Sequence, residues 1–173
     1  MLKMCSLLKF GLAAFLVLQL SACSNYSLNI NEKVVYMPPT VFTRFQLADL
    51  ELQKCVDDTI SEEMIVAAKD LHTVRCPNKG IRTLNGLEIF SGIKVLGLEG
   101  NDISEIDTIG KLTNLEQLNL ADNGVNSVEA LKLLSKLRYL NLSGNEGVEC
   151  AEIKEISLVK GGKALLPKHC EQG

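Results

Sequence analysis

The chain has 173 residues and a formal net charge of −3, enough for one domain of ordinary size. Its first 22 residues carry Lys3, Lys9 and no acid, so the remainder stands at −5. No basic cluster longer than two residues follows. That argues against a nucleic-acid partner, because affinity for phosphate chains is dominated by lysine and arginine contacts.

An apolar run from Phe10 to Leu20, broken only by Gln19, follows the two lysines. It is too short to span a bilayer, which takes about 20 apolar residues, and it suits the apolar stretch of a signal peptide. It closes on Leu20, Ser21, Ala22 and Cys23, which resemble the bacterial lipobox. The resemblance implies that residues 1–22 are a lipoprotein signal peptide and that Cys23 is the lipidation site, giving the protein a membrane partner through its lipid. Ser24, where an aspartate would favour retention in the inner membrane, implies an outer-membrane lipoprotein of the bacterial cell envelope, facing the periplasm or the surface. Residues 23–44 hold Asn25, Asn29, Asn31 and the Pro38–Pro39 pair with little helical or repeat pattern, and are expected as a lipidated tether. Within it Val34, Val35 and Tyr36, and then Val41 and Phe42, are able to lie against a folded domain.

Residues 45–70 read as a helical cap. Asp49 is placed to N-cap a helix with Leu52, Cys55 and Val56 on one face, and Ser61, Glu62 and Glu63 are expected to open a second helix leading into the first strand.

From Leu71 the chain repeats every 22 residues. Leu71, Val74 and Cys76 recur as Ile93, Leu96 and Leu98, as Leu115, Leu118 and Leu120, and as Leu137, Leu140 and Leu142. Lys79, Asn101, Asn123 and Asn145 follow three residues later, and Ile81, Ile103 and Val125 two further on; the fourth copy departs with Gly147. In the second half of each unit Leu84, Ile106, Val128 and Cys150 align, then Leu87, Ile109, Leu131 and Ile153, then Phe90, Leu112, Leu134 and Ile156. Alternation in the first half suits a short strand with inward leucines, and stacked units pair such strands into one parallel sheet. The asparagines form a ladder of amides that satisfies backbone turned inward after each strand; Lys79 interrupts it at the first rung. These positions, four repeats over residues 71–158, resemble the 22-residue leucine-rich repeats of the internalin type, and the resemblance covers roughly residues 45–170. The resemblance implies an α/β solenoid: a short right-handed superhelix with the parallel sheet on its concave face, a 3₁₀-like return path and a helical N-terminal cap.

A solenoid needs a cap at each end. Cys5 and Cys23 set aside, Cys55, Cys76, Cys150 and Cys170 remain, an even number that argues for disulfides in an exported chain. Three pairings are open to four cysteines. Cys76 sits at an inward strand position where a cap helix bearing Cys55 must pack, which favours Cys55 with Cys76 and leaves Cys150 with Cys170. A helix is expected from Ala151 to about Lys160, followed by a C-terminal cap, residues 159–173, in which Ala164, Leu165 and Leu166 add an edge strand stopped by Pro167. No cysteine or histidine spacing fits a metal motif, since His72 and His169 stand at opposite ends of the array. No cofactor or metal is expected.

Variable strand positions are displayed on a sheet, not gathered in a cleft, which argues against an enzyme and against a small-molecule substrate. Glu99 and Asp122, a repeat apart, read as members of a solvated row in preference to a catalytic pair. A partner-binding face is expected at His72, Arg75, Lys94, Glu99, Glu116, Asn119, Asp122, Arg138, Tyr139 and Asn141, with Thr73, Val95, Gly97, Gln117 and Ser143 among the variable positions between them. Two function classes stay open: a module that binds a protein partner at the envelope, and a structural subunit permanently docked in an envelope complex.

Overall fold

The structure, a computed structural model, describes residues 28–30, 33–36 and 40–170. The expected signal peptide, lipobox and lipidation site at Cys23 lie outside the described residues. The described residues fall into two units, divided after residue 38. In the first, β1 (Leu28–Ile30) pairs antiparallel with β2 (Lys33–Tyr36), Ile30 opposite Lys33. The expected tether thus includes a hairpin. Lys33–Tyr36 is rich in β-branched and aromatic residues that favour strands, and only two residues separate it from its partner.

The second unit begins with a segment pinned onto the first repeat. Phe42 and Phe45 stack with ring centroids 5.7 Å apart, and both meet the fully buried Phe90 edge-on, at 6.1 and 4.9 Å. Helix α1 (Leu50–Glu62) follows and buries Leu52, Cys55, Val56 and Ile60. Asp49 caps it, its Oδ1 accepting from the N–H groups of Glu51 and Leu52 at 3.0 and 3.1 Å. The second Asp49 oxygen accepts from Arg82 N–H at 2.9 Å, so one side chain both starts the helix and fastens it to the repeats. Ser61 and Glu62 do not open a second helix; they end the first. The apolar spacing continues through Ile60 and keeps α1 buried for another turn, and the chain then breaks at Met64, whose φ is 54°. A single 3₁₀ turn, Ala68–Asp70, leads into the sheet.

Five parallel strands make that sheet: β3 (Thr73–Arg75), β4 (Val95–Gly97), β5 (Gln117–Asn119), β6 (Tyr139–Asn141) and β7 (Lys163–Leu165), in chain order. Val74, Leu96, Leu118 and Leu140 stand in register, each 22 residues after the last. The last step is longer, with Leu140 opposite Ala164. The strand comes one residue before the expected Ala164–Leu166. Inward residues of every turn are essentially without solvent exposure, from Leu71 to Leu142. The chain returns through 3₁₀ turns at Leu87–Ile89, Asp107–Lys111 and Glu129–Leu133, since a 22-residue circuit leaves no room for a long helix.

Asn101 accepts from the N–H groups of Lys79 and Ile81 and donates to the carbonyls of Cys76 and Leu98. Asn123 joins Ile103 N–H to the carbonyls of Leu98 and Leu120, and Asn145 joins Val125 N–H to those of Leu120 and Leu142. Each amide therefore ties its own turn to the one before. Lys79 is exposed and contributes only its backbone. In the fourth repeat the next inward residue is Val148, not the position of Gly147, so the turn is one residue longer there.

Helix α2 (Cys150–Lys154) is half the length expected from Ala151 to Lys160. Its growth stops because Val159 N–H donates to Leu137 O at 2.9 Å, which draws the chain back to the sheet early and leads into β7.

The open face of the sheet

Strand alternation sends one set of side chains inward and leaves two rows outward. The first outward row is Thr73, Val95, Gln117, Tyr139 and Lys163; the second is Arg75, Gly97, Asn119, Asn141 and Leu165. A third set, Glu99, Ala121 and Ser143, follows the strands at the same spacing.

Among the residues expected to bind a partner, Arg75, Asn119, Tyr139 and Asn141 stand in the two outward strand rows, and Glu99 in the third. His72, Lys94, Glu116 and Arg138 form a rim one residue before the strands. There the backbone ladder runs from Lys94 N–H to His72 O, from Glu116 N–H to Lys94 O and from Arg138 N–H to Glu116 O, each at 2.8 Å. His72 is turned to its own edge, where Nδ1–H donates to Gly92 O at 3.1 Å. Asp122 is not a strand residue. It belongs to a turn that recurs every 22 residues as Asn78, Gly100, Asp122 and Gly144, all with φ between 53° and 78°. Glu99 and Asp122 therefore occupy different positions of the repeat and do not form a row together.

Lys163 and Leu165 extend the outward rows. The sequence places Leu165 on the expected edge strand, but the 24-residue last step left both residues off the expected binding face.

A hollow of about 160 Å³ lies on this face around Gly97, lined by Arg75, Val95, Glu99, Asn119 and Tyr139 among others. Glu99 Oε2 is buried there and has no hydrogen-bond partner among the described residues.

Both ends of the sheet are fastened covalently. Cys55 is bonded to Cys76 and Cys150 to Cys170, with Cα atoms 6.0 and 5.3 Å apart. His169 sits beside the second bond. Its Nδ1 is 3.0 Å from Glu146 Oε2 and its Nε2 is 2.9 Å from Val148 O, and only the imidazolium donates to both. The hydrogen bond to Val148 O, opposed by desolvation and reinforced by Glu146, raises the pKa of this ring above its ordinary 6.5. Cys150, Cys170 and His169 bring three ligand-type atoms within 4.8 Å of one another, yet with the sulfurs joined neither is a thiolate, the form that binds metal. At the other end burial works to raise the pKa of Asp49, but N–H donors from Arg82, Leu52, Thr83 and Glu51 outweigh it and hold the carboxyl below its ordinary 3.8.

Residues 91–133 match the family model described as leucine-rich repeats in two copies. No curated protein matches the chain. Among solved structures the chain is similar to an internalin, inlF, from Listeria monocytogenes str. 4b F2365, with 18% identity and a TM-score of 0.58 over 70% of this chain and 43% of that one. The functional domain of InlJ from Listeria monocytogenes is similar over 56% of this chain and 22% of that one, at 23% identity and a TM-score of 0.45. The chain thus spans less than half the length of either. With the 22-residue register, the parallel sheet and the amide ladder, the internalin likeness establishes the fold: this chain is a leucine-rich-repeat solenoid.

Proposed function

We propose that the protein is a lipid-anchored binding module of the bacterial cell envelope, which holds its open sheet face toward a protein partner. In this reading residues 1–22 are removed, Cys23 carries the lipid, residues 23–44 link anchor to domain, and a cap at 45–70 and another at 159–173 close the repeats at 71–158. Ser24 supports the outer membrane as its address. Among the described residues no helix is long and apolar enough to cross a membrane, and the anchoring is assigned to the lipobox alone.

The observation that carries the reading is the sheet face itself. Its two outward rows present Arg75, Asn119, Tyr139 and Asn141, polar and aromatic groups suited to an interface, on a backbone fixed by the amide ladder and two disulfides. Rigid presentation lowers the entropic cost of binding. The reading is non-enzymatic, because its polar groups are spread in rows across a sheet and a catalytic constellation converges on a reacting atom.

Crosslinking from Tyr139 or Asn141 in the mature lipoprotein, followed by identification of the captured species, tests it. A single protein captured from these positions, and not from the exposed Lys79, is the expected result; no specific capture from the face overturns it.

A second reading has its own observation. On the return path Ile89 is 43% exposed and Leu133 65% exposed, at equivalent positions two repeats apart, and Leu50 on α1 is 81% exposed. Permanent docking in an envelope complex through the caps or convex side would cover them. In that case crosslinks arise from Leu133 and Leu50 and not from Tyr139.

A further inference from the structure

Gly97 is the one residue of the second outward row without a side chain, between Arg75 on β3 and Asn119 on β5. Glycine inside a strand weakens it and marks bends or places where another group comes close. Here no bend requires it, for Gly97 lies in a regular register and outside the left-handed region. A Cβ at this position would stand 3.3 Å from Glu99 Oε2 and 3.5 Å from Arg75 Cγ, contacts that two long side chains relieve by small movements. What the glycine provides is room.

The room borders an acceptor, which a rotation of the Glu99 side chain would present to it. Glu99 Oε2 is withdrawn from solvent without a donor, and a buried polar atom in that state calls for a partner that the fold itself does not supply. Arg75, the neighbouring residue of the row, does not bond to it. Val95, Gly97, Asn119 and Tyr139 line the hollow with Glu99. Its volume of about 160 Å³ is well above the roughly 10–15 Å³ that one water needs, room for the end of one long side chain.

We propose that the hollow at Gly97 is a socket for an arginine side chain of the protein partner, with Glu99 as its acceptor. The proposal rests on the reading of the sheet face as the binding surface and names the chemistry of its anchor. A guanidinium supplies N–H donors in a planar fork that suits a carboxylate, and its face stacks on an aromatic ring such as Tyr139. Its methylenes would lie on Val95. An acidic group entering the same space would meet Glu99 as a like charge. Arg75 is the internal competitor, so the socket is selective for a cation presented rigidly by a partner over one that must fold back from its own strand.

The test uses the full mature chain, labelled for amide NMR, titrated with N-acetylarginine methylamide and with the neutral, isosteric citrulline analogue. Saturable shifts at Gly97, Glu99 and Asn119 are expected with arginine, and at least tenfold weaker binding with citrulline. Glu99→Gln and Gly97→Val should each weaken arginine binding at least tenfold, one by removing the charge and the other by filling the space, while Arg75→Ala leaves it equal or tighter. Equal binding of the two analogues overturns the socket, and so does arginine binding indifferent to both variants. The comparison of analogues needs no variant and stands even if a substitution disturbs the fold. Specific crosslinks from Tyr139 that are unchanged by Glu99→Gln would overturn the socket while leaving the binding face in place; absence of any specific crosslink from the face of the unsubstituted chain would overturn the underlying reading.

Discussion

Single residues decide whether successive turns stack, and the two kinds that do so differ in how openly the sequence shows them. Asn123 makes bonds to both its own turn and the one before, so Asn123→Leu leaves buried backbone groups unpaired, at a cost of about 1–3 kcal/mol each. Lys79→Leu, at the equivalent but exposed position, should leave the melting temperature nearly unchanged; equal shifts for the two variants would contradict the ladder. That ladder was legible because asparagine recurs at a fixed spacing. The turn one residue earlier was not, since Asn78, Gly100, Asp122 and Gly144 alternate in chemistry. Their common cause is a positive φ, joined to a steric rule. The side chain of Asn78 occupies the space where a Cβ on Gly100 would lie, and Asp122 does the same to Gly144. Glycine therefore follows each Asx residue one turn later. Gly80 also has a positive φ, of 73°, but with open space around it. Alanine in the left-handed region costs roughly 1–2 kcal/mol, so Gly80→Ala should lower stability by about that amount in denaturant titration. Gly144→Ala should cost more, because Asp122 must also move, and Asp122→Gly should recover the part owed to the carboxylate while the Asp122 backbone still stands 3.0 Å from the new Cβ. A Gly144→Ala variant no worse than Gly80→Ala would dismiss the steric rule.

At the level of elements, the caps are where electrostatics and covalent bonds matter most. The folded His169 has its pKa raised above 6.5. Its contribution is therefore fully present below the ordinary value near pH 6.5 and is lost as the pH rises through the folded value. Amide exchange around Val148 and β7 should accelerate more steeply across that rise in the native chain than in His169→Gln; parallel pH profiles would remove the histidine from the cap. Asp49 has the opposite sign. Its carboxyl is held below 3.8, so its stabilisation is present above that value and disappears as the pH falls through the folded one. Removing such an N-cap costs about 0.5–2 kcal/mol, and Asp49→Ala should show that loss at pH 7 and a smaller one near pH 2. The elements themselves were only partly legible. Asp49 and the α1 face follow from local chemistry, but the end of α1 is set by Ile60 packing against the repeats. The short α2 is set by the Val159 bond to Leu137, and neither partner is near in sequence. The hairpin at Leu28–Tyr36 escaped notice because a two-strand ribbon of this length leaves no repeat to detect.

For the whole molecule, a repeat array holds together through contacts between neighbouring turns, so its ends are its weak points and its middle needs no outside support. The two disulfides close loops of about 20 residues, for each of which the chain-entropy model gives on the order of 3 kcal/mol. Their reduction should loosen α1 and β7 first and leave Leu118 and Leu120 protected longest in hydrogen exchange; early loss at the centre would refute the capping role. The same modularity separates attachment from folding. In the proposed arrangement the lipid sits on Cys23, outside the unit that begins at residue 39, whereas the buried core runs from Leu47 to Ile153 within it. Each buried methylene of an acyl chain contributes about 0.8 kcal/mol, so one chain anchors marginally and two or three hold firmly. Cys23→Ser removes all of them together. The variant should keep the circular dichroism spectrum and melting temperature of the native domain while shifting from the membrane to the soluble fraction, and mass spectrometry should show no acyl mass. Continued membrane association that resists a high-salt wash would have to come from a docked partner or another anchor. A second fractionation, with Cys23→Ser combined with Glu99→Gln and Tyr139→Ala, tells the surfaces apart: release by the added face variants assigns the residual attachment to the sheet, and retention assigns it to docking through the caps or convex side or to an anchor other than Cys23.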